Sequence, residues 1–183
     1  PGSVGRPASI LLLGDDGEPV GIGEAGTIYF PAGPMAFSYH NNPEMTEAAR
    51  RGDFVTVGDI GELDDQGYLY LLDRRSDLII SGGVNIYPAE IEATFQRHPA
   101  VADVAVIGIP NEEWGQSILA VIQPVDGESS TDALRDTLME FAYGELSSHK
   151  RPRRIEFERQ LPRTEVGKLL RREVRKAFVP EQP

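Results

Sequence analysis

The segment Arg74–Asp77 separates two kinds of sequence, and that change of pattern limits the fold more than any other feature of the chain. Ahead of it, short β-rich runs alternate with turn signals. Ala8–Leu13 is an apolar run of buried-strand length, Asp15-Asp16-Gly17 is a turn, and Gly26–Pro31 carries Thr-Ile-Tyr-Phe. Phe54–Val57, Gly61–Asp64 and Tyr68–Leu72 follow, the last two joined as a hairpin through Asp64-Asp65-Gln66-Gly67. A short helix is expected over Asn42–Arg50, where Asn42 can cap and Pro43 falls in the first turn.

Beyond Asp77, strands and helices mix. Leu78–Ile80 reads as a strand and Pro88–Arg97 as a helix with Glu90 and Glu92 in its early turns. Val101–Ile109 and Ile118–Val125 are apolar strands around a loop at Pro110–Gln116. Thr131–Leu146 opens on a Ser/Thr/Asp cap cluster and places Leu134, Leu138 and Phe141 at helical spacing. A short strand at Ile155–Phe157 and a basic helix at Leu169–Phe178 complete the pattern. The expectation is a mostly-β subdomain over residues 1–75 and a small α+β domain over residues 76–183, the second long enough for a core of its own.

Composition narrows the function. The formal net charge of -11 argues against nucleic acid or an anionic membrane as the main partner. Its distribution is uneven: residues 150–176 hold 11 Lys/Arg against 4 Asp/Glu, whereas residues 77–149 hold 2 basic residues against 12 acidic ones. A basic segment on an acidic body can attract a compact polyanion such as a nucleotide or coenzyme A, or it can be a solvated helix face. With no cysteine, disulfides, thiolate metal sites and cysteine nucleophiles are excluded. His40, His98 and His149 are isolated and lack metal-ligand spacing, so no metal site is expected. No apolar run reaches the roughly 18 residues of a transmembrane segment, and no signal-peptide layout opens the chain; a cytoplasmic location is expected.

Several motifs point to one chemistry. Gly58-Asp59 supplies a carboxylate that accepts hydrogen bonds, and Arg74 follows the hairpin after it. Ser81-Gly-Gly-Val-Asn-Ile-Tyr-Pro88 joins a glycine pair, free of obstructing Cβ atoms, to a helix start. Leu161-Pro-Arg-Thr-Glu-Val-Gly-Lys168 ends a flexible loop in a lysine just ahead of a basic helix, where a compact charge on a long stem can meet a phosphate. Alone, each has a bland explanation: a Gly-Asp turn, a strand-ending turn, a solvated surface lysine. In this order they resemble the adenylate-forming superfamily of acyl-CoA synthetases, nonribosomal peptide adenylation domains and beetle luciferase. The resemblance runs over essentially the whole chain.

That resemblance implies a set of roles. Asp59 and Arg74 would bind the ribose of ATP, and Ser76 would occupy the hinge, where relatives more commonly carry Lys or Asp. Ser81, Gly82 and Gly83 would line the channel for the pantetheine arm of coenzyme A, and Lys168 would be the catalytic lysine of adenylation. Residues 1–75 would close a large N-terminal domain and residues 76–183 would be its mobile C-terminal partner. Lys150, Arg151, Arg153 and Arg154 could reach the phosphates of coenzyme A or remain solvated, and Trp114 reads as a packing residue on a loop.

The implied activity is that of an acyl-CoA synthetase: ATP activates a carboxylic acid, a fatty acid in the leading reading, to acyl-AMP, and coenzyme A then takes the acyl group. An enzyme that loads a carrier protein, and a non-catalytic α+β interaction module, are the alternatives. The triphosphate-wrapping Ser/Thr/Gly-rich loop and the acyl pocket of such enzymes are not found in the chain. It therefore reads as a fragment, inactive alone, whose partners are the remainder of the N-terminal domain, a small carboxylic acid, ATP, coenzyme A and Mg2+ held by ligands outside it. Self-association stays open.

Overall fold

A computed structural model describes residues 2–33, 37–126 and 131–179. The chain divides into two compact units, Pro1–Ser76 and Asp77–Pro183. The first holds β1 (Leu11–Leu13), β2 (Gly26–Pro31), α1 (Pro43–Ala48), β3 (Arg50–Arg51), β4 (Phe54–Val55), β5 (Asp59–Leu63) and β6 (Leu69–Arg74). Its strands form an antiparallel array in the order β3-β4-β2-β5-β6, with β1 also on β2. Leu12, Ile28 and Leu69 centre a small core that Ile10, Val20 and Leu63 flank. The Asn42 carboxamide accepts the Met45 N–H at 2.9 Å and starts α1, as its cap signal predicts.

Both strands of the first unit's hairpin extend further than the apolar pattern suggests. β5 begins at Asp59 and β6 runs to Arg74, so two residues expected near turns are cross-strand partners. A register shift between Ile60 and Gly61 interrupts the ladder. Gly61 has to be small there: a Cβ would lie 2.6 Å from the Tyr70 carbonyl oxygen.

The second unit is an α+β domain. It contains β7 (Ile79–Ser81), β8 (Val84–Ile86), α2 (Pro88–Phe95), β9 (Val101–Asn111), β10 (Gly115–Pro124), α3 (Asp132–Glu145), a single 3-10 turn at Ser148–Lys150, β11 (Arg154–Phe157) and α4 (Arg171–Phe178). β10 pairs antiparallel with β9 along its length, and on its opposite edge with β11 in parallel and with β7. The continuous apolar runs of β9 and β10 follow from burial of both sheet faces. Val104, Val106, Ile118, Ala120 and Ile122 point to a core shared with Ile91 and Phe95 of α2 and Leu134 and Leu138 of α3. The alternate residues Ala105, Ile107, Leu119 and Val121 meet Leu161 and Val174, the latter on α4.

The expected loop at Pro110–Gln116 is shorter in the structure, because Pro110 and Gln116 are themselves paired across the β9–β10 hairpin. Among the described residues β9 pairs with β10 alone, and an edge tolerates a proline that has no N–H to give. The Thr131 hydroxyl caps α3 by accepting the Leu134 N–H; Ser129 and Ser130 of the same cap cluster lie outside the described residues.

Candidate functional site

In the first unit, the β5–β6 register places Asp59 opposite Arg74, and the Arg74 Nε lies 3.3 Å from Asp59 Oδ1. Their side chains are 32% and 50% exposed, so the ion pair contributes at most about 1 kcal/mol to folding and leaves carboxylate oxygens open to a ligand. The approach to Asp59 is fixed from both sides. Gly58, at φ +83°, donates its N–H to the Thr56 hydroxyl, and its carbonyl accepts the Arg75 N–H at 2.7 Å. Arg75 turns elsewhere, donating to the Thr27 hydroxyl and pairing with Asp15 at 2.8 Å. A cavity of about 380 Å³ lies against Gly58 and Arg75, lined also by Thr27, Tyr29, Arg51 and Thr56. Ser76 is exposed in the turn Arg75–Asp77.

In the second unit, Ser81 and Val84 pair across β7 and β8, and Gly82 and Gly83 between them sit at φ +58° and +78°. Two consecutive left-handed residues make the tight hairpin turn that paired glycines allow. Trp114 covers this turn. Gly82 donates its N–H to the Trp114 carbonyl at 2.9 Å, and a Cβ on Gly82 would fall 2.6 Å from the indole Cε3. The indole packs on a glycine and not in a core, and stays 42% exposed. Together with Ser81, His149, Arg151 and Arg153 it lines a groove of about 200 Å³.

The four basic residues of that region are not equivalent. Lys150 is held by both oxygens of Glu90 at 2.7 Å, and Arg154 pairs with Glu156. Arg151 donates to the carbonyls of Tyr143 and Leu146 while stacking on the Tyr143 ring. Arg153 reaches the groove with no side-chain ion pair among the described residues.

Lys168 lies on a closed turn of the second unit. Thr164 donates its N–H to the Lys168 carbonyl at 2.8 Å, and its hydroxyl accepts the Lys168 N–H at 3.0 Å. Gly167, at φ +82°, turns the chain, and Arg163 and Leu169 form an antiparallel bridge across the base. The backbone is thus fixed while the side chain is exposed, and the ammonium makes no hydrogen bond or ion pair among the described residues. Its neighbours differ. Arg163 grips Asp103 through Nε at 2.8 Å and Nη2 at 2.6 Å, and Arg171 grips Glu92 and reaches Asp77 at 3.1 Å. The Asp103 hydrogen bond raises the Arg163 pKa above its ordinary value, so this guanidinium stays charged.

Apart from Ser76, the expected site residues therefore gather into three places: Asp59 with Arg74 in one unit, and in the other the Ser81–Gly82 groove and the Lys168 turn. The Lys168 turn borders a separate open cavity lined by Asp103, Arg163 and Thr164, which shares no lining residue with the groove. Among the described residues there is no group of three or more His, Asp or Glu placed to hold a metal ion. The charged partners Glu92, Asp103, Arg163 and Arg171 escape sequence reasoning. They meet across separations of 60 and 79 residues that no local pattern reveals.

Comparison with known proteins identifies the fold. Residues 90–168 match the AMP-binding enzyme C-terminal domain. The chain is 44% identical over 178 residues to a 2-succinylbenzoate–CoA ligase of Geobacillus kaustophilus, covering 96% of the chain and 36% of that protein. It is 38% identical over 180 residues to the long-chain-fatty-acid–CoA ligase FadD13 of Mycobacterium tuberculosis, covering 97% and 35%. The chain thus spans about a third of the length of these curated relatives. Among solved structures, the o-succinylbenzoate CoA synthetase of Bacillus subtilis in complex with its acyl-adenylate intermediate superposes with a TM-score of 0.82 at 36% identity, over 94% of this chain and 35% of that one. The chain belongs to the adenylate-forming superfamily, and residues 90–168 are its AMP-binding enzyme C-terminal domain.

Proposed function

We propose that this chain forms part of a carboxylic-acid:CoA ligase, its first unit ending a larger adenylation domain and its second acting as the mobile C-terminal domain. In the first half-reaction the acid's carboxylate attacks the α-phosphorus of ATP and pyrophosphate leaves. In the second the thiol of coenzyme A, losing its proton, attacks the acyl carbonyl and AMP leaves.

Asp59 accepts hydrogen bonds from the ribose hydroxyls, and Arg74, paired with it across the strands, orients the carboxylate. Lys168 offsets the repulsion between two anions and the charge that builds on the phosphoryl oxygens. The single observation that carries the reading is that Lys168 presents an exposed ammonium on a fixed backbone, while Arg163 and Arg171 on either side are engaged with carboxylates. For the second half-reaction the groove at Ser81, Gly82 and Trp114 guides the pantetheine arm, and Gly83 supplies the turn. Arg153, which lines the groove, suits the phosphates of coenzyme A. Rotation about Ser76 exchanges the two working faces.

ATP would supply the adenylyl group and Mg2+ would screen the charge of its phosphates, with the metal ligands and the triphosphate loop in the remainder of the ligase. A fatty acid is the first acid to try, with the aryl acids of the other relatives as comparison. The isolated chain should give no acid-dependent pyrophosphate exchange, whereas the ligase containing it should produce AMP and a CoA thioester. Robust exchange by the isolated chain refutes the division of labour. Thioester formed on a carrier protein but not on coenzyme A refutes the acceptor.

A further inference from the structure

The edge of β9 that faces away from β10 carries backbone N–H groups that need acceptors, and two carboxylates supply them. Val104 donates to Oδ1 of Asp103 at 2.9 Å, and Val106 donates to Oε1 of Glu92 at 2.9 Å. Each of those carboxylates also receives a forked arginine. Arg163, five residues before Lys168, binds both oxygens of Asp103. Arg171, three residues after it, binds both oxygens of Glu92. The acids are well shielded, with side-chain exposures of 15% for Asp103 and 10% for Glu92, so neither pair is a loose surface contact. The third nitrogen of Arg163, Nη1, donates to the Gly167 carbonyl at 2.5 Å, the oxygen of the peptide bond that joins Gly167 to Lys168.

We propose that Asp103 and Glu92 are positioning residues for Lys168, holding the lysine turn to the edge of β9 through one arginine at each end. A lysine stem has four rotatable bonds, and its charge is useful only if the backbone that carries it is already placed. Two forked ion pairs, one to Asp103 on β9 and one to Glu92 of α2, which is itself bonded to β9 through Val106, fix both ends of the segment, and Arg163 fixes the peptide next to the lysine itself. A fold-stabilising role alone would not require that third contact. The proposal rests on Lys168 acting in adenylation.

The test combines kinetics of the ligase with amide exchange in the chain. Arg163→Leu should lower kcat for acyl-AMP formation about 10- to 100-fold, the scale of a misplaced reacting group, with KM for ATP changed less than about twofold. Arg163→Lys keeps the charge but not the fork and should recover part of the loss. Introduced into Lys168→Ala, Arg163→Leu should cost nothing further. Glu92→Gln retains an acceptor for Val106 while removing the charge; it and Arg163→Leu should both speed hydrogen exchange at the Lys168 amide and leave β10 unchanged. A wild-type kcat for Arg163→Leu, a penalty that persists in full beside Lys168→Ala, or unchanged exchange at Lys168 overturns the proposal. A wild-type rate for Lys168→Ala alone rejects the catalytic reading beneath it, an outcome the exchange measurement cannot mimic.

Discussion

Two neighbouring glycines of the β7–β8 turn offer a matched pair of substitutions. Gly82→Ala and Gly83→Ala both force an L residue to adopt positive φ, at +58° and +78°, and each should cost about 1–2 kcal/mol from that cause alone. The surroundings differ. A Cβ on Gly83 meets nothing within 4 Å, whereas one on Gly82 falls 2.6 Å from Cε3 and 3.0 Å from Cζ3 of Trp114. Carbon atoms pack at roughly 3.5–4.0 Å, so the indole has to move by about an ångström. The backbone cannot withdraw freely, since Gly82 N–H is bonded to the Trp114 carbonyl. Overpacking of this kind costs about 1–3 kcal/mol, and the ring's partial exposure favours the lower end. Gly82→Ala should therefore lose about 1 kcal/mol more than Gly83→Ala in urea unfolding. Trp114 is the single tryptophan of the chain, so its emission reports the displacement directly and should shift in Gly82→Ala alone. In the ligase the same variant should raise KM for coenzyme A and spare acyl-AMP formation. Equal unfolding losses with identical emission would refute the argument from Trp114.

Two further outcomes follow from the proposed sites. Asp59→Asn keeps the side chain's shape but removes the charge opposite Arg74; KM for ATP should rise about tenfold, as expected for a lost charge-assisted hydrogen bond of about 1.4 kcal/mol, while thermal stability changes little because the pair is exposed. Isotherms for ATP and unfolding curves check both halves of that statement. Ser76→Pro fixes φ near roughly -65° and should impair one half-reaction more than the other in single-turnover measurements; equal wild-type rates for both would remove Ser76 as the hinge.

How much of this was legible in the sequence depends on how local its cause is. The runs Val101–Ile109 and Ile118–Val125 revealed β9 and β10 because burial of both faces leaves a nearly continuous apolar signature, interrupted only by the polar Asp103 and Gln123. β8 left no such trace: it is three residues long, and Val84 and Asn85 are exposed. Pro110 suggested a loop and turned out to lie in an edge strand. At the sites, Asp59, Arg74 and Lys168 stood out because they sit in recognisable motifs. Their geometry did not, since the Asp59–Arg74 opposition depends on a register shift at Ile60–Gly61. Glu92 read only as an acid early in a helix; in the structure it is a buried acceptor for Val106 and for an arginine 79 residues away.

The central claim is that Lys168 serves adenylation and not thioester formation, and separate half-reactions of the ligase test it most directly. Lys168→Ala should slow acyl-AMP formation from acid and ATP by about 10²–10³, the scale for losing one preorganised charged donor. Given synthetic acyl-AMP and coenzyme A, the same variant should form thioester at nearly the normal rate, because the acyl carbon is then already activated. Equal slowing of both half-reactions, or a wild-type rate of acyl-AMP formation, would contradict the account.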